Sequence, residues 1–151
     1  MTKYFFLFLT FLISACFTPS VHKAEYSLYG GLVLVVELTH AHPFFAEYNS
    51  ELSLYKDGKK VAREKLFLDT GGFSDLNLYS CGLNEYQLIG YFGSIVVNSD
   101  SLSRGQCDKE SINYIGVFSW GNDRNWKFYN KEEISERVLT PFKDEVDGRA
   151  D

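Results

Sequence analysis

The chain has 151 residues, a formal net charge of −5, and a composition of 23% charged and 17% aromatic side chains. An acidic balance argues against nucleic acid, whose binders carry basic patches, and against electrostatic adsorption to anionic lipid. The length fits one domain, and the aromatics, ten of them Tyr, fit either a small β core or a Tyr-rich binding face.

Lys3 is followed by an apolar run, Phe5 to Ile13, broken only by Thr10. A charged start and a short apolar segment make the pattern of a secretory signal. The run is too short to span a bilayer, which takes about 20 residues. It ends in Ile13-Ser14-Ala15-Cys16, an aliphatic residue, two small ones and a cysteine. This tetrapeptide resembles the lipobox of bacterial lipoproteins. The resemblance implies that residues 1–15 are a lipoprotein signal peptide, that the chain is cut before Cys16, and that Cys16 carries the lipid. Two or three acyl chains, at about 0.8 kcal/mol per buried methylene, hold a protein to a membrane stably. Phe17, not Asp, follows the cysteine, which in Gram-negative sorting implies the outer membrane, facing the periplasm. Residues 16–151 carry 14 basic against 20 acidic side chains, so the lipid, not charge, would make the membrane contact.

The lipobox also accounts for an odd cysteine. With Cys16 lipidated, Cys81 and Cys107 remain, and an exported chain favours their pairing as a disulfide; a free buried pair is the alternative. Neither lies in a CxxC unit, which argues against zinc.

Residues 16–25 read as a tether and 26–142 as a β domain. Gly31 to Leu38 is a dense aliphatic run typical of a buried strand. Glu51 to Tyr55 alternates polar and apolar, and Asp57-Gly58 then separates it from Lys59 to Phe67, the pattern of a two-residue hairpin. Further strands are expected at 75–79, 86–89, 94–97, 112–120 and 125–129, with residues 99–111 as a polar loop holding Cys107. Asn130 and Glu133 have capping-box spacing, Ile134 and Val138 share a helix face, and Pro141 ends the helix. Residues 143–151 read as a flexible tail. The expected fold is therefore all-β: a single small antiparallel sandwich or barrel with a short C-terminal helix.

Few segments invite chemistry. Leu66-Phe67-Leu68 followed by Asp69-Thr70-Gly71 resembles the active-site loop of aspartic proteases, which need two such carboxylates. One copy is present, and Gly72 stands where that family has Ala or Ser, so a turn is the simpler reading. His40 and His42, at i and i+2, would share a face of an extended segment and are the candidate metal ligands, with Glu37 or Glu47 as a third. Asp108, Glu110 and Asp123 match no calcium-loop spacing. There is no nucleophile elbow, phosphate-binding glycine loop or HExxH, so no cofactor and no enzymatic activity are expected.

Residues 42–48, Leu66 to Gly72, Asn77-Leu78-Tyr79, Tyr114 to Phe118 and Trp126-Lys127-Phe128 resemble a group of small, uncharacterised bacterial exported proteins. That resemblance implies one bacterial domain and carries no activity; His42, Tyr48 and Asp69 are its polar members and the candidate binding residues. The function these features favour is a lipid-anchored envelope protein that binds a protein partner, as an inhibitor, immunity or envelope-associated factor. An acidic surface suits a basic partner. A structural or assembly role in the envelope is the alternative, and a metal-binding or hydrolytic activity comes after it.

Overall fold

A computed structural model of the chain describes residues 21–42, 44–45, 47–69, 75–91, 93–107, 112–121 and 123–134. The expected signal segment with Cys16, the expected turn at 70–72 and the residues from 135 onward, with Val138 and Pro141, lie outside them.

Two antiparallel sheets make up the domain. The first has four strands in sequential order: β1 (Val21–Ser27), β2 (Leu32–His40), β3 (Tyr48–Lys56) and β4 (Lys59–Asp69). The second comprises β5 (Leu76–Gly82), β6 (Glu85–Gly90), β7 (Gly93–Val97), β8 (Leu102–Arg104), β9 (Asn113–Trp120) and β10 (Trp126–Asn130), in the order β10-β9-β5-β6-β7-β8. The sheets stack with β1 beside β10 and β4 beside β8. No hydrogen-bonded ladder among the described residues joins one sheet to the other, so the fold is a sandwich and not a closed barrel.

Alternation builds the core. Leu34, Val36 and Leu38 on β2, Leu52 and Leu54 on β3, Leu78 on β5, Leu88 on β6, Ile95 and Val97 on β7, and Phe118 on β9 point between the sheets and are buried. Their periodicity of two puts every second residue inward. At the seam of β1 and β10, the Tyr26 and Phe128 rings close the core with centroids 4.0 Å apart. The opposite seam is polar. Arg104 of β8 pairs with Glu64 at 3.1 Å and donates to the Lys65 carbonyl at 3.3 Å, occupying part of the β4 edge that would otherwise be open to another strand.

The Asp57-Gly58 hairpin forms as expected. Lys56 pairs with Lys59, and φ is +49° at Asp57 and +78° at Gly58. Two successive positive φ values match the right-handed twist of the flanking strands. The capping box also forms: Asn130 N–H donates to Glu133 Oε2 at 2.8 Å, and Glu133 N–H to Asn130 Oδ1 at 2.9 Å. The short helix begins at residue 131.

Two local expectations need correction. Residues 21–25 are not tether but the first part of β1, paired throughout with β2 from Val21↔Thr39 to Ser27↔Val33. The segment looks polar because only its inner face, with Ala24 at the centre, touches the core. Within the 99–111 loop, Leu102–Arg104 adds β8 to the sheet edge.

Cys81 and Cys107 form a disulfide with Cα atoms 6.2 Å apart. It ties β5 to the segment after β8. Gln87 alternates with the core residues Tyr86 and Leu88, so its side chain lies on the outer face of the second sheet. It is buried there, and its Oε1 accepts the Cys107 N–H at 3.4 Å. The cross-link thus carries a buried amide with its hydrogen bond made.

Candidate functional site at the two ends of the sandwich

β1 starts, β2 ends, β3 starts and β4 ends at one end of the domain, as the registers Val21↔Thr39, His40↔Tyr48 and Tyr48↔Asp69 require. Trp120 and Trp126 pair at the same end of the second sheet. Between the sheets, the rings of His22, His40, Tyr48, Trp120 and Trp126 replace the aliphatic core. His22 meets Trp120 edge-on at 4.7 Å, His40 leans on Tyr48 at 4.4 Å, and Tyr48 lies 5.8 Å from Trp120. The apolar bodies of these side chains seal this end of the core. Burial, and secondly the nearby His40, lower the His22 pKa below its ordinary value, which favours the neutral ring. Trp126 Nε1 is buried with no hydrogen-bond partner among the described residues.

The candidate residues separate here. His40 and Tyr48 belong to this layer, and Asp69 ends β4 opposite Tyr48. β2 ends at His40, and the Ala41 N–H donates to the Glu47 carbonyl at 2.8 Å, one step further along the β2–β3 register. The His42 ring contacts Phe45 at 4.7 Å and Phe44 at 5.8 Å, and its Nδ1 accepts the Phe44 N–H. Among the described residues no group of three or more His, Cys, Asp or Glu is placed to hold a metal ion. His40 has His22 as its imidazole neighbour, 6.1 Å away.

Around this layer, large apolar side chains stand in solvent. Phe44 is 87% exposed and Tyr91, on the β6–β7 turn, 85% exposed; Phe45, Leu68 and Val21 are exposed with them. They come from four separate segments that only the fold assembles.

The other end is built from turns. A 3-10 turn at Tyr29–Gly31 links β1 to β2, Asp57-Gly58 links β3 to β4, and Leu83-Asn84 links β5 to β6. Hydrogen bonds knit them together: Asp57 N–H donates to the Gly31 carbonyl at 3.2 Å, and Tyr29 N–H to the Tyr86 hydroxyl at 3.1 Å. On this frame Tyr29 is 72% and Leu83 89% exposed. Neither was a candidate from sequence. The available signal was an apolar residue inside a turn: Leu83 lies between Gly82 and Asn84, whose φ angles are +145° and +56°. A turn needs no leucine for its geometry.

The sheet faces are ordinary by comparison. Val35 and Ser53 on the outer face of the first sheet are buried beside the ion pair of Arg63 and Glu51, whose aliphatic stems can shield apolar surface. Among the described residues no helix is long and apolar enough to cross a membrane. No protein-family model matches the chain, and no curated protein or solved structure is significantly similar to it.

Proposed function

We propose that this protein is a lipid-anchored binding module of the bacterial envelope, held by lipid on Cys16 and presenting its turn-built end to a protein partner. The observation that carries the reading is the cluster of three knitted turns displaying Tyr29 and Leu83 at the end remote from Val21. Exposed aromatic and aliphatic anchors on a rigid frame are what a protein interface uses, because little conformational entropy is lost when they are buried. The Cys81–Cys107 disulfide supports export to an oxidising compartment and leaves Cys16 as the third cysteine, in the lipobox. The outer membrane, with the domain in the periplasm, is the destination that Phe17 favours. Arg104 on the β4 edge favours binding over assembly by strand addition, since that edge is partly occupied.

Two measurements test this. Cys16→Ser should remove the acyl mass and release the protein from the membrane fraction; retention by the same route would overturn the anchor. A photo-crosslinking residue at 83 should give one discrete protein adduct in cells, lost with Tyr29→Ser. Adducts equally strong and varied from a probe at the exposed Lys65, midway along β4, would show that the turn cluster has no partner of its own.

A further inference from the structure

We infer that the end of the sandwich carrying Phe44, Phe45 and Leu68 is a membrane-contacting surface that rests in the headgroup layer of the bilayer holding Cys16. The inference depends on the lipid anchor proposed above and adds which surface the anchored domain turns toward the lipid.

Chain length makes the first argument. β1 begins at Val21, at this end, only five residues after Cys16. Five residues reach at most about 18 Å fully extended. The nine residues of β2 run the length of the domain, about 30 Å at strand rise. The tether is therefore shorter than the domain, and the turn-built end cannot be brought round to face the bilayer.

The chemistry of the surface makes the second. The loop between β2 and β3 is pinched shut by the Ala41–Glu47 hydrogen bond and projects Phe44 and Phe45. Leu68, near the end of β4, and Tyr91, on the β6–β7 turn, stand exposed at the same end. Behind them, the packed rings of His22, Tyr48 and Trp120 form an aromatic layer of the residue types that suit a boundary between hydrocarbon and water. Such a patch on a monomer marks an interaction site. Its occupant must tolerate a domain with 14 basic and 20 acidic residues from Cys16 onward, so apolar insertion, not attraction to anionic headgroups, provides the contact.

The test uses the acylated full-length mature protein in phosphatidylcholine vesicles. With Cys16 acylated and Cys81 bonded to Cys107, a cysteine introduced as Phe44→Cys or Leu83→Cys is the reactive thiol for an environment-sensitive NBD dye. Both positions are exposed, so the core is untouched. The expected result is a blue-shifted Phe44→Cys probe quenched at least twofold more by spin-labelled lipid than the Leu83→Cys probe. It should be unchanged when anionic lipid or salt is added. Acylated protein whose probe at 44 stays in water overturns the inference alone. A blue shift without lipid that grows with protein concentration also overturns it, because a second copy then covers the patch. An unmodified Cys16 by mass overturns the anchor and the inference together.

Discussion

His22 and His40 are diagonal neighbours across β1 and β2, with ring centroids 6.1 Å apart and Trp120 packed on the His22 ring. Two imidazoles so close resist being charged together, and burial adds to the cost for His22. Its pKa in the folded protein lies below the ordinary value of about 6.5. A histidine with a lowered folded-state pKa binds its proton more readily when unfolded. Stability is therefore full above about pH 6.5 and falls as the pH drops toward the folded-state pKa. Urea denaturation midpoints should be lower at pH 5 than at pH 7.5. His22→Phe, which keeps a ring against Trp120, should flatten that dependence; an equally steep dependence in the variant would assign it elsewhere.

The disulfide closes a separation of 26 residues. In the chain-entropy model such a loop contributes about 3–4 kcal/mol through the unfolded state. Cys81→Ala/Cys107→Ala should lower the unfolding free energy by that amount in chemical denaturation. Peptide mapping without reductant should show Cys81 and Cys107 in one cross-linked fragment.

Gly116 lies on β9 where Phe128 of β10 crosses it. A Cβ there would collide with the Tyr129 carbonyl and come within 2.6 Å of Phe128 Cζ. Backbone cannot step aside as a flexible side chain can. Gly116→Ala should therefore cost about 1–3 kcal/mol, the usual range for overpacking, seen as a lower thermal midpoint. A variant as stable as the parent would show that the β9–β10 pair yields more easily than its packing implies.

Ser53 on β3 has the opposite expectation. Its hydroxyl is buried and meets no hydrogen-bond partner among the described residues. Leaving a polar group dry and unpaired is costly. Ser53→Ala removes that cost without adding volume and should raise stability by about 1 kcal/mol in denaturant titration. A loss instead would indicate a bridging water held by that hydroxyl.

Sequence alone was enough where the determining interaction is local. Asp57-Gly58 sets its hairpin because two adjacent residues accept positive φ, and Asn130 with Glu133 sets its cap because the partners are three residues apart. The strand at 31–38 was legible from its aliphatic run and the one at 51–55 from alternation, and short strands spaced between turn signals pointed to the all-β class. Cysteine count and compartment logic together anticipated the Cys81–Cys107 pair. Where partners are distant, local pattern was silent. Val21–Ser27 is a strand because β2 pairs with it along its length, not because its own residues demand one. His40 acquires His22 as its neighbour, eighteen positions earlier. Tyr29 and Leu83 become one surface only when separate turns meet through the Gly31 carbonyl and the Tyr86 hydroxyl. Side-chain period and turn chemistry act over a few residues, whereas the sandwich chooses which distant residues share an end. The proposed lipobox, Ile13 to Cys16, is a pattern of local sequence; which end of the domain begins five residues beyond Cys16 was decided by the tertiary structure.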